Sequence, residues 1–600
     1  MSYKVESFDL VEQAILNNKK FNDNQREFIE LMETSYIIAG PGVGKTTCLA
    51  AKIVLLLMEI ASENSKGAIC IITHTNVAVD EINKILRRLG LSQINHPHFV
   101  GTIHNFFNTF LSIPYIKKEF SPTNIRFDDS KEHLELITTL VHKSPYFGKW
   151  SNKSVREFVA KTINQSELVY DEVDDKFILL NTTGWDKFEK HYGPMLEIKL
   201  QLKRLGFFSY NDTFLFAKVA LARGKIGTLL RRRFKYIFVD EFQDTDVNSL
   251  EILKKLFACE GNILQFIGDP NQTLDFYGQM PRIDDFPNFE LKVCNRFGKQ
   301  LGDHLLNIVS GARMEYVAEK ISFNPVLIIY NSNDQLIPFY KEIFSEYFAN
   351  EDSGNNKMKD SILSIRRIAI DEYQTSSKHG PSRNFIKINE SFTSHLIKVI
   401  NEFIFMRISK SGEFQYDVRK WIKEHPVQID LKKNLIRCIK SGQLNKTDLV
   451  KTINSVLSEQ GTSQINASNS IFNQLEMIVK LANDSVVLEH EKEEDEFVFG
   501  TIHSAKGETH RSVLLIDSNA ADMIHTKMLK SFYCLDQENY DSEWVARNLL
   551  YVAMSRPTHL FAFGMDARHI KADEITVFQD KGWDIRYAFS DKMPELKLSF

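Results

Sequence analysis

The chain has 600 residues, 43% of them hydrophobic and 25% charged, which is the balance of a globular protein of about three to four domains. Its formal net charge of −4 excludes a globally basic surface, so a nucleic-acid partner would have to be held in a local groove. The six cysteines include no CxxC pair, and the N-terminal residues contain no apolar signal segment. We therefore expect no zinc site, disulfide framework or membrane partner, and we predict a cytoplasmic protein.

Short apolar runs alternate with amphipathic helical patterns near both ends of the chain. In the first half, runs that are typical of buried strands cover residues 36–40, 68–75, 236–241 and 263–269. Comparable runs return late in the chain as FVFGTIH, SVLLID and HLFAFG. This alternation predicts an α/β fold class, with parallel sheets that are flanked by helices.

Two stretches between these runs, at about 105–225 and 385–488, have a mostly helical pattern. The acidic run EHEKEEDE at 489–496 is typical of a solvated connection. The simplest layout is therefore two α/β cores, each interrupted by a mainly helical insertion.

The segment YIIAGPGVGKTT has the order of strand, glycine-rich turn and helix start that is typical of a P-loop. In such a loop, glycines let backbone amides face phosphate oxygens, a lysine reaches the β and γ phosphates, and a hydroxyl binds Mg²⁺. A glycine-rich turn before a core helix is the alternative, but GKT after an apolar strand favours a site for ATP and Mg²⁺. The predicted nucleotide-binding residues of this segment are Ala39, Gly40, Pro41, Gly42, Val43, Gly44, Lys45, Thr46 and Thr47.

A second apolar run, YIFVDE, ends in the adjacent carboxylates of Asp240 and Glu241. In P-loop enzymes an acidic residue at this place holds Mg²⁺, so Asp240 and Thr46 are the predicted metal ligands. Glu241 is predicted to orient and deprotonate the attacking water. An acidic helix N-cap is the alternative, but it would explain only one member of a buried pair that is costly without a metal or a reaction.

Together the motifs resemble those of superfamily 1A DNA helicases of the UvrD/Rep/PcrA type, in that family's order from about residue 21 to 565. FNDNQREFI resembles the Q motif, which implies that Gln25 contacts adenine. VDEFQDTD matches motif II, and IGDPNQTLDFYG resembles motif III, which implies that Gln272 senses the γ-phosphate. CNRFGKQL and NLLYVAMSRPTHL resemble motifs IV and VI, which implies that Arg296 and Arg556 reach the triphosphate from a second core. For either arginine alone, a surface salt bridge would be the simpler interpretation. The implied catalytic residues are Glu241, Gln272, Arg296 and Arg556.

Other motifs of the resemblance imply contacts with single-stranded or tailed DNA. THTNVAVDEI, GTIHNFF and GTIHSAKGETH resemble motifs Ia, Ib and V. A single strand requires phosphate donors and flat surfaces for its bases. For the aromatic candidates, including Phe106, burial in a core is an equally open alternative. The implied DNA-binding residues are His74, Asn76, Thr102, His104, Phe276, Tyr277, Thr501 and His503.

The chain departs from the family pattern in motifs IV and V. Asn295 precedes the motif IV arginine where the family has an aromatic residue, and Phe297 follows it, so the adenine-stacking residue is not identified. Motif V reads KGETH instead of KGLE, which leaves the ribose contact of Glu508 unassigned.

The resemblance implies two RecA-like P-loop cores. The predicted first core covers residues 1–104 and 226–280, and the helical insertion 105–225 corresponds to the family's 1B. The predicted second core covers 281–384 and 489–600, and 385–488 is a reduced insertion that resembles 2B.

The implied function is an ATP-dependent DNA helicase or translocase that moves 3′ to 5′ on single-stranded DNA. The KGETH sequence also resembles UvrD-like helicase subunits of Gabija-type antiphage defence systems. The alternative function is therefore a DNA- or nucleotide-sensing ATPase subunit with little unwinding of its own. In that case it would regulate an ATPase-nuclease partner, of the OLD-family type, in a hetero-oligomer.

Overall fold

A computed structural model describes most of the chain. The described residues are 3, 5–16, 19–63, 67–73, 83, 86–87, 96–127, 131–274, 285–309, 314–317, 319–349, 358–365, 392–408, 415–488, 497–517 and 542–589. The chain divides into two compact units, the first comprising Met1–Phe107, Gly224–Gly380 and Glu496–Phe600, and the second Asn108–Arg223 and Pro381–Asp495. The finer four-part division stays a prediction. Among the helices that the structure describes, none has both the length and the apolar character needed to cross a membrane.

Strands and helices alternate along the first unit, as the sequence predicts. The strands between residues 126 and 208 belong to the second unit. The strands in chain order are β1 (Ser35–Ala39), β2 (Ala68–Thr73), β3 (Phe99–Thr102), β4 (Arg126–Phe127), β5 (Glu167–Asp171), β6 (Lys176–Leu180), β7 (Phe207–Phe208), β8 (Phe234–Asp240), β9 (Ile263–Gly268), β10 (Asn288–Leu291), β11 (Val293–Cys294), β12 (Glu315–Tyr316), β13 (Val326–Tyr330), β14 (Ser361–Ser364), β15 (Val498–Thr501), β16 (His510–Ile516), β17 (Pro557–Asp566) and β18 (Asp584–Tyr587).

The α-helices of the described residues are α1 (Val5–Leu16), α2 (Asp23–Glu30), α3 (Lys45–Glu63), α4 (Ile103–Phe107), α5 (Ile113–Phe120), α6 (Lys131–Lys143), α7 (Lys153–Gln165), α8 (Phe188–Arg204), α9 (Asp212–Arg223), α10 (Ile226–Arg233), α11 (Val247–Phe257), α12 (Lys299–Ile308), α13 (Asn333–Tyr347), α14 (Phe392–Ile408), α15 (Gln415–Glu424), α16 (Val427–Ser441), α17 (Lys446–Glu459), α18 (Ile471–Leu488), α19 (Ser542–Met554) and α20 (Ala572–Asp580). Single turns of other helix types cover Asn108–Ser112, Phe147–Lys149, Phe242–Asp244 and Pro270–Gln272.

The first sheet has six strands in the order β10-β1-β9-β8-β2-β3, and every neighbouring pair is parallel. The four strands predicted in the first half of the sequence are confirmed as β1, β2, β8 and β9. All six residues of β2 are buried, as expected of a central strand covered by helices on both faces.

The second sheet, in the same unit, is also entirely parallel, with the order β15-β14-β16-β17-β13-β18. The late apolar runs form β15, β16 and β17, and the predicted α/β fold class is confirmed. Val326, Leu514 and Ala562 belong to one buried cluster of this sheet, while Leu327, Leu515 and Phe563 belong to another. Neighbouring residues of one strand thus enter different clusters, because successive side chains point to opposite faces.

The parallel strands place the polar ends of β1, β8 and β9 at one edge of the first sheet. These three strands are neighbours, and the P-loop, the Asp240–Glu241 pair and Asp269 follow their carboxyl ends. Ligands of open α/β sheets bind outside the carboxyl ends of the strands. The fold therefore brings segments more than 200 residues apart in sequence to one site.

The second unit is mainly helical, as predicted for the two insertions, and it also contains an antiparallel hairpin of β5 and β6. Its two chain segments are joined by Arg419 of α15, which pairs with Glu135 of α6 at 2.8 Å and also with Glu402 of α14. Arg419 in addition lies over the ring of Phe405, 3.7 Å from its centroid. The hairpin was not predicted because its two strands are short and flanked by charged residues.

Candidate active site

The P-loop turns between the end of β1 and the start of α3. Gly42 and Gly44 have φ angles of 75° and 84°, in the left-handed region where a side chain is disfavoured. A Cβ atom on Gly42 would lie 2.5 Å from Cβ of Arg296 and 2.8 Å from Sγ of Cys294. The backbone N–H of Asn295 donates to the carbonyl of Gly42 at 2.8 Å. Glycine is thus required both for the turn and for the close approach of the segment that carries Arg296.

Lys45 lies between the two carboxylates at the end of β8. Its Nζ is 3.6 Å from Asp240 Oδ1, and it forms a hydrogen-bonded ion pair with Glu241. Burial alone would lower the pKa of Lys45, but the two carboxylates outweigh it and raise that pKa, so the ammonium stays charged. The predicted phosphate ligand therefore has the predicted metal ligand and the predicted water base as its partners.

The pKa values of the two carboxylates are shifted in opposite directions. Burial raises the pKa of Asp240, which is 1% exposed, even though Lys45 opposes that shift. Burial also acts to raise the pKa of Glu241. The nearby Lys45 and Lys506 together have the larger, opposite effect, so the net shift is downward. Glu241 has a φ angle of 52°, a conformation that is uncommon for residues other than glycine. Such outliers cluster at functional sites, where the surrounding structure holds them in place.

Gln25 connects helix α2 with the P-loop. Its side chain and that of Asn22 form a reciprocal capping box, and its Nε2 donates to the carbonyl of Val43 at 2.9 Å. Both ends of the amide are thus held, and each end retains capacity for one further hydrogen bond.

Lys52 of α3 is hydrogen-bonded to the carboxyl end of helix α2. Its side chain is fully buried, and its Nζ donates to the carbonyl of Phe28 at 2.8 Å and to that of Leu31. Nζ also lies 4.7 Å from the ring centroid of Phe28, and burial lowers the pKa of Lys52. A buried donor therefore joins the carboxyl end of α2 to the helix that follows the P-loop.

Replacing Lys52 by methionine should lower the midpoint of thermal unfolding. The change leaves buried carbonyl acceptors without their donor, which costs about 1–3 kcal/mol of folding free energy. The KM for ATP should rise as well, since α2 carries Gln25. Thermal unfolding and steady-state ATP hydrolysis measure the two effects. The matched control is Lys19→Met, at an exposed lysine. Equal midpoints for Lys52→Met and wild type would contradict this role.

Two arginines lie where the two sheets meet. Arg556 directly precedes β17 of the second sheet, and Arg296 follows β11, next to Phe297 of a buried cluster of that sheet. Arg556, 2% exposed, donates through Nη2 to Gln272 Oε1 at 3.2 Å and through Nε to the Val552 carbonyl at 3.0 Å. Arg296 donates through Nη1 to the carbonyl of Ser555 at 2.8 Å. Burial lowers the pKa of Arg556, and the positive charge of the neighbouring Arg296 lowers it further. The structure thus gathers Lys45, Asp240, Glu241, Gln272, Arg296 and Arg556 at one seam between the two sheets.

Lys506 is a member of this seam that the sequence did not assign. Its Nζ donates to the carboxylate of Asp244 at 2.6 and 2.9 Å, and to the carbonyl of Gln272 at 2.8 Å. Its sequence signal was its place in GTIHSAKGETH, but a lone lysine there gives no indication of its partner. Lys506 joins the second sheet to two motifs of the first.

Asp269 is a second missed residue, with the same sequence signal as Asp240, a carboxylate directly after an apolar strand. It is buried, and it accepts hydrogen bonds from Gln272 Nε2 at 2.8 Å and from the hydroxyl of Tyr551 at 3.2 Å. Burial raises its pKa. Asn548, one turn from Tyr551 on α19, donates to the carbonyl of Thr273 at 3.0 Å. Helix α19 is therefore hydrogen-bonded to the Gln272 segment at two points.

The residues present fit a nucleoside triphosphate with Mg²⁺. The positive-φ glycines and Lys45 provide the phosphate cradle, and Thr46 in the first turn of α3 joins Asp240 as the predicted oxygen donors. Within the described ranges there is no cluster of three or more His, Cys, Asp or Glu side chains arranged to hold a metal. Proteins commonly hold Mg²⁺ with one or two side chains while substrate phosphates supply other ligands.

Four of the predicted DNA-binding residues lie at the outermost strands of the two sheets. Thr102 ends β3 and Thr501 ends β15, and each hydroxyl accepts a backbone N–H three residues later at 3.2 Å. An accepting hydroxyl keeps its hydrogen for donation. His104 is half-buried, and burial lowers its pKa, whereas His503 is exposed. The two GTIH segments thus share this hydrogen bond, although helix α4 follows the first and a turn follows the second.

The remaining DNA-binding predictions divide into two groups. His74, Asn76, Phe276 and Tyr277 lie outside the described residues. Phe106 is fully buried, with its ring 5.5 to 6.1 Å from those of Phe99, Phe107, Phe234 and Phe257, so it is a core residue and the stacking hypothesis is wrong for it. Phe297 is also fully buried and is not available to stack on adenine.

Comparison with known proteins is consistent with this site. Residues 21–277 match the UvrD/REP helicase N-terminal domain. The chain is 23% identical to the ATP-dependent DNA helicase Rep of Buchnera aphidicola subsp. Schizaphis graminum, over 89% of this chain and 91% of that protein. It is 26% identical to the DNA helicase II of Haemophilus influenzae, over 42% of this chain and 34% of that protein. It is 27% identical to the DNA helicase II of Escherichia coli, over 45% of this chain and 37% of that protein. The match thus extends over nearly all of the Rep protein but only about a third of the helicase II proteins.

Proposed function

Taking the chain as a helicase of the UvrD/Rep type, we propose that it hydrolyses ATP to move along single-stranded DNA and separate duplex strands. The direction we propose, 3′ to 5′, follows from the resemblance of its motifs. The Rep and helicase II proteins to which the chain is similar are named as DNA helicases.

The observation that carries this proposal is the seam between the two sheets. Lys45, Asp240 and Glu241 approach it from the first sheet, Arg556 from the start of β17 in the second sheet, and Arg296 from the segment after β11. Gln272 links the two sides, since its side chain accepts from Arg556 while its carbonyl accepts from Lys506. A triphosphate bound at the P-loop would therefore be contacted by both cores, and its hydrolysis would change how they hold each other.

Each seam residue has a proposed role. Thr46 and Asp240 hold Mg²⁺, which, when bound, neutralises charge on the phosphates. The P-loop residues 39–47 bind phosphate, Gln25 contacts the base, Gln272 senses the γ-phosphate, and Arg296 and Arg556 stabilise the transferred phosphoryl group.

Glu241 is the proposed base for the attacking water. The Lys45 ammonium outweighs burial and lowers the pKa of Glu241. Phosphate oxygens would compete with Glu241 for Lys45, so we propose that substrate binding frees the carboxylate to accept the water proton.

For the DNA strand, we propose contacts at the outer strand of each core. Thr102 and His104 would hold phosphates on the first core, and Thr501 and His503 on the second. His74, Asn76, Phe276 and Tyr277 are proposed to contribute further phosphate and base contacts. We retain the proposed division into cores 1–104 with 226–280 and 281–384 with 489–600, and insertions 105–225 and 385–488.

The alternative proposal is a DNA- or nucleotide-sensing ATPase that regulates an ATPase-nuclease partner in a Gabija-type complex. The small size of the second insertion, five helices from Phe392 to Leu488 within the described residues, favours a specialised role. Both proposals require ATP hydrolysis, and they differ in whether the isolated chain unwinds DNA.

The deciding experiment is ATP hydrolysis by the purified chain with and without single-stranded DNA, followed by unwinding of duplexes with a 3′ or a 5′ tail. We expect hydrolysis that DNA stimulates, and strand displacement from the 3′-tailed duplex only. The Lys45→Ala variant is the control, because it lacks the proposed phosphate ligand. DNA-stimulated hydrolysis without displacement would favour the sensing subunit, and hydrolysis that is indifferent to DNA would contradict both proposals.

A further inference from the structure

A strongly basic segment leads into β8, at the edge of the first sheet opposite the proposed active site. The sequence KIGTLLRRRFK at 225–235 contains five lysines and arginines and no acidic residue, in a chain of net charge −4. Helix α10 and the start of β8 carry this segment. A local excess of this size attracts anions even when the whole protein is weakly acidic.

The segment borders a groove of about 620 Å³ at the amino-terminal edge of the sheet. Gly67 precedes β2, α10 leads into β8, and Asn262 precedes β9, so the groove spans three neighbouring strands. The P-loop and the acidic pair follow the carboxyl ends of β1 and β8. Since β8 has seven residues, the groove and the active site lie at opposite edges, about 20 Å apart.

The walls of the groove are held in place by hydrogen bonds and close packing. Asn262 donates through Nδ2 to the carbonyls of Arg231, at 3.1 Å, and Phe234. The stem of Lys235 lies over Gly67, where a Cβ atom would come within 3.0 Å of the Cβ of Lys235. The groove is therefore a fixed feature of the sheet edge.

The charges that line the groove favour an anionic ligand. Thr228, Arg231 and Arg232 line it from one face of α10, at the three- and four-residue spacing that places helical side chains together. Lys235 adds a third cation, and Glu260 is the one carboxylate among the lining residues. In the described part of the chain, no carboxylate lies within ion-pair distance of Arg231, Arg232 or Lys235. Arg233 is engaged elsewhere, donating to the carbonyl of Pro97 at 2.9 Å.

We propose that this groove binds the phosphate backbone of nucleic acid. This contact would be separate from the proposed contacts of the single-stranded DNA near the active site. The proposal rests on the proposed function, because it assumes that the chain acts on DNA. An extended backbone suits a groove whose cations lie along a helix face with Arg232 and Lys235 exposed.

The first test is the salt dependence of oligonucleotide binding by the full-length chain in the absence of nucleotide. Each lost phosphate contact reduces the slope of log K against log salt by about 0.7 for a single strand and 0.9 for a duplex. The Arg231→Ala/Arg232→Ala variant should therefore have a slope smaller by about 1.4 to 1.8, with the KM for ATP unchanged. The matched control is Lys19→Ala/Lys20→Ala, which removes two exposed cations of the same unit. If the variant binds DNA with the same slope as wild type, the proposal for the groove is wrong. If the wild-type chain itself does not bind DNA, the proposed function is wrong.

The second test uses Cys259, which lines the groove and is exposed, while the other cysteines in the described residues are buried. Alkylation of the Cys259 peptide by a maleimide, measured by mass spectrometry, should be slowed severalfold by an oligonucleotide. The slowing should persist in Lys45→Ala and disappear in Arg231→Ala/Arg232→Ala. Protection by inorganic pyrophosphate but not by the oligonucleotide would assign the groove to free phosphates and overturn the nucleic-acid proposal. Protection by neither would overturn the site.

Discussion

Replacing Glu241 by glutamine is expected to lower kcat for ATP hydrolysis by about 10²–10⁴ while ATP still binds, because the change removes the proposed base for the water proton. The structure adds a second expectation. Glu241 is an ion-pair partner of Lys45, so it would compete with phosphate for the ammonium. Glutamine ends that competition, and the Kd for ATP should be equal to or lower than that of wild type.

The two parameters are measured separately, by steady-state hydrolysis with saturating single-stranded DNA and by binding of a fluorescent ATP analogue. The control is Glu251→Gln, the same change at an exposed residue of α11. It should leave both parameters unchanged. If Glu241→Gln retained kcat within tenfold of wild type, another group would have to be the base.

The second large effect is expected for Arg556→Lys, which should reduce kcat by about 10³, the lower part of the range for an arginine supplied across an interface. Lysine keeps the positive charge but lacks the planar set of donors. Arg556 uses these donors on Gln272, Ser555 and Val552, and a single ammonium cannot reproduce that geometry. Because the P-loop and Lys45 are untouched, the Kd for ATP should change little.

This split between kcat and Kd distinguishes a role in the reaction from a general loss of stability. Arg586→Lys, at a partly exposed arginine of β18 in the same sheet, is the matched control and should behave as wild type. Circular dichroism of both variants checks the fold. An Arg556→Lys enzyme with nearly normal kcat would mean that the guanidinium does not act on the phosphoryl group.

Both effects arise at a seam whose two lysines are paired with carboxylates, while Arg296 and Arg556 have neutral hydrogen-bond partners. Lys45 is paired with Asp240 and Glu241, and Lys506 is paired with Asp244. A triphosphate that enters must replace some of these partners. Substrate binding and rearrangement of the contacts between the two sheets are therefore linked, as a motor requires.

Local sequence was sufficient for the strands and for the nucleotide loop. The apolar runs of β1, β2, β8 and β9 were predicted because strand burial depends on the composition of a few consecutive residues. The P-loop was recognisable because its glycines and Lys45 act within one turn. The carboxylates at the end of β8 stood out for the same reason, since two adjacent charges end an apolar run.

What local sequence could not supply was the identity of partners far apart in the chain. Lys506 and Asp244 are 262 residues apart, and Arg556 and Gln272 are 284 apart. Composition likewise did not distinguish a surface aromatic from a buried one, and Phe106 proved to be part of a core.

The sequence by itself determined the class of fold and indicated a candidate nucleotide site, because helix and strand periodicity and the P-loop pattern are properties of short segments. Only the tertiary structure decided which cations meet which carboxylates at the seam, and that a basic segment lines a groove at the opposite edge. The physical reason is that strand order in these sheets differs from chain order, so the residues that share an edge are determined by topology and not by spacing.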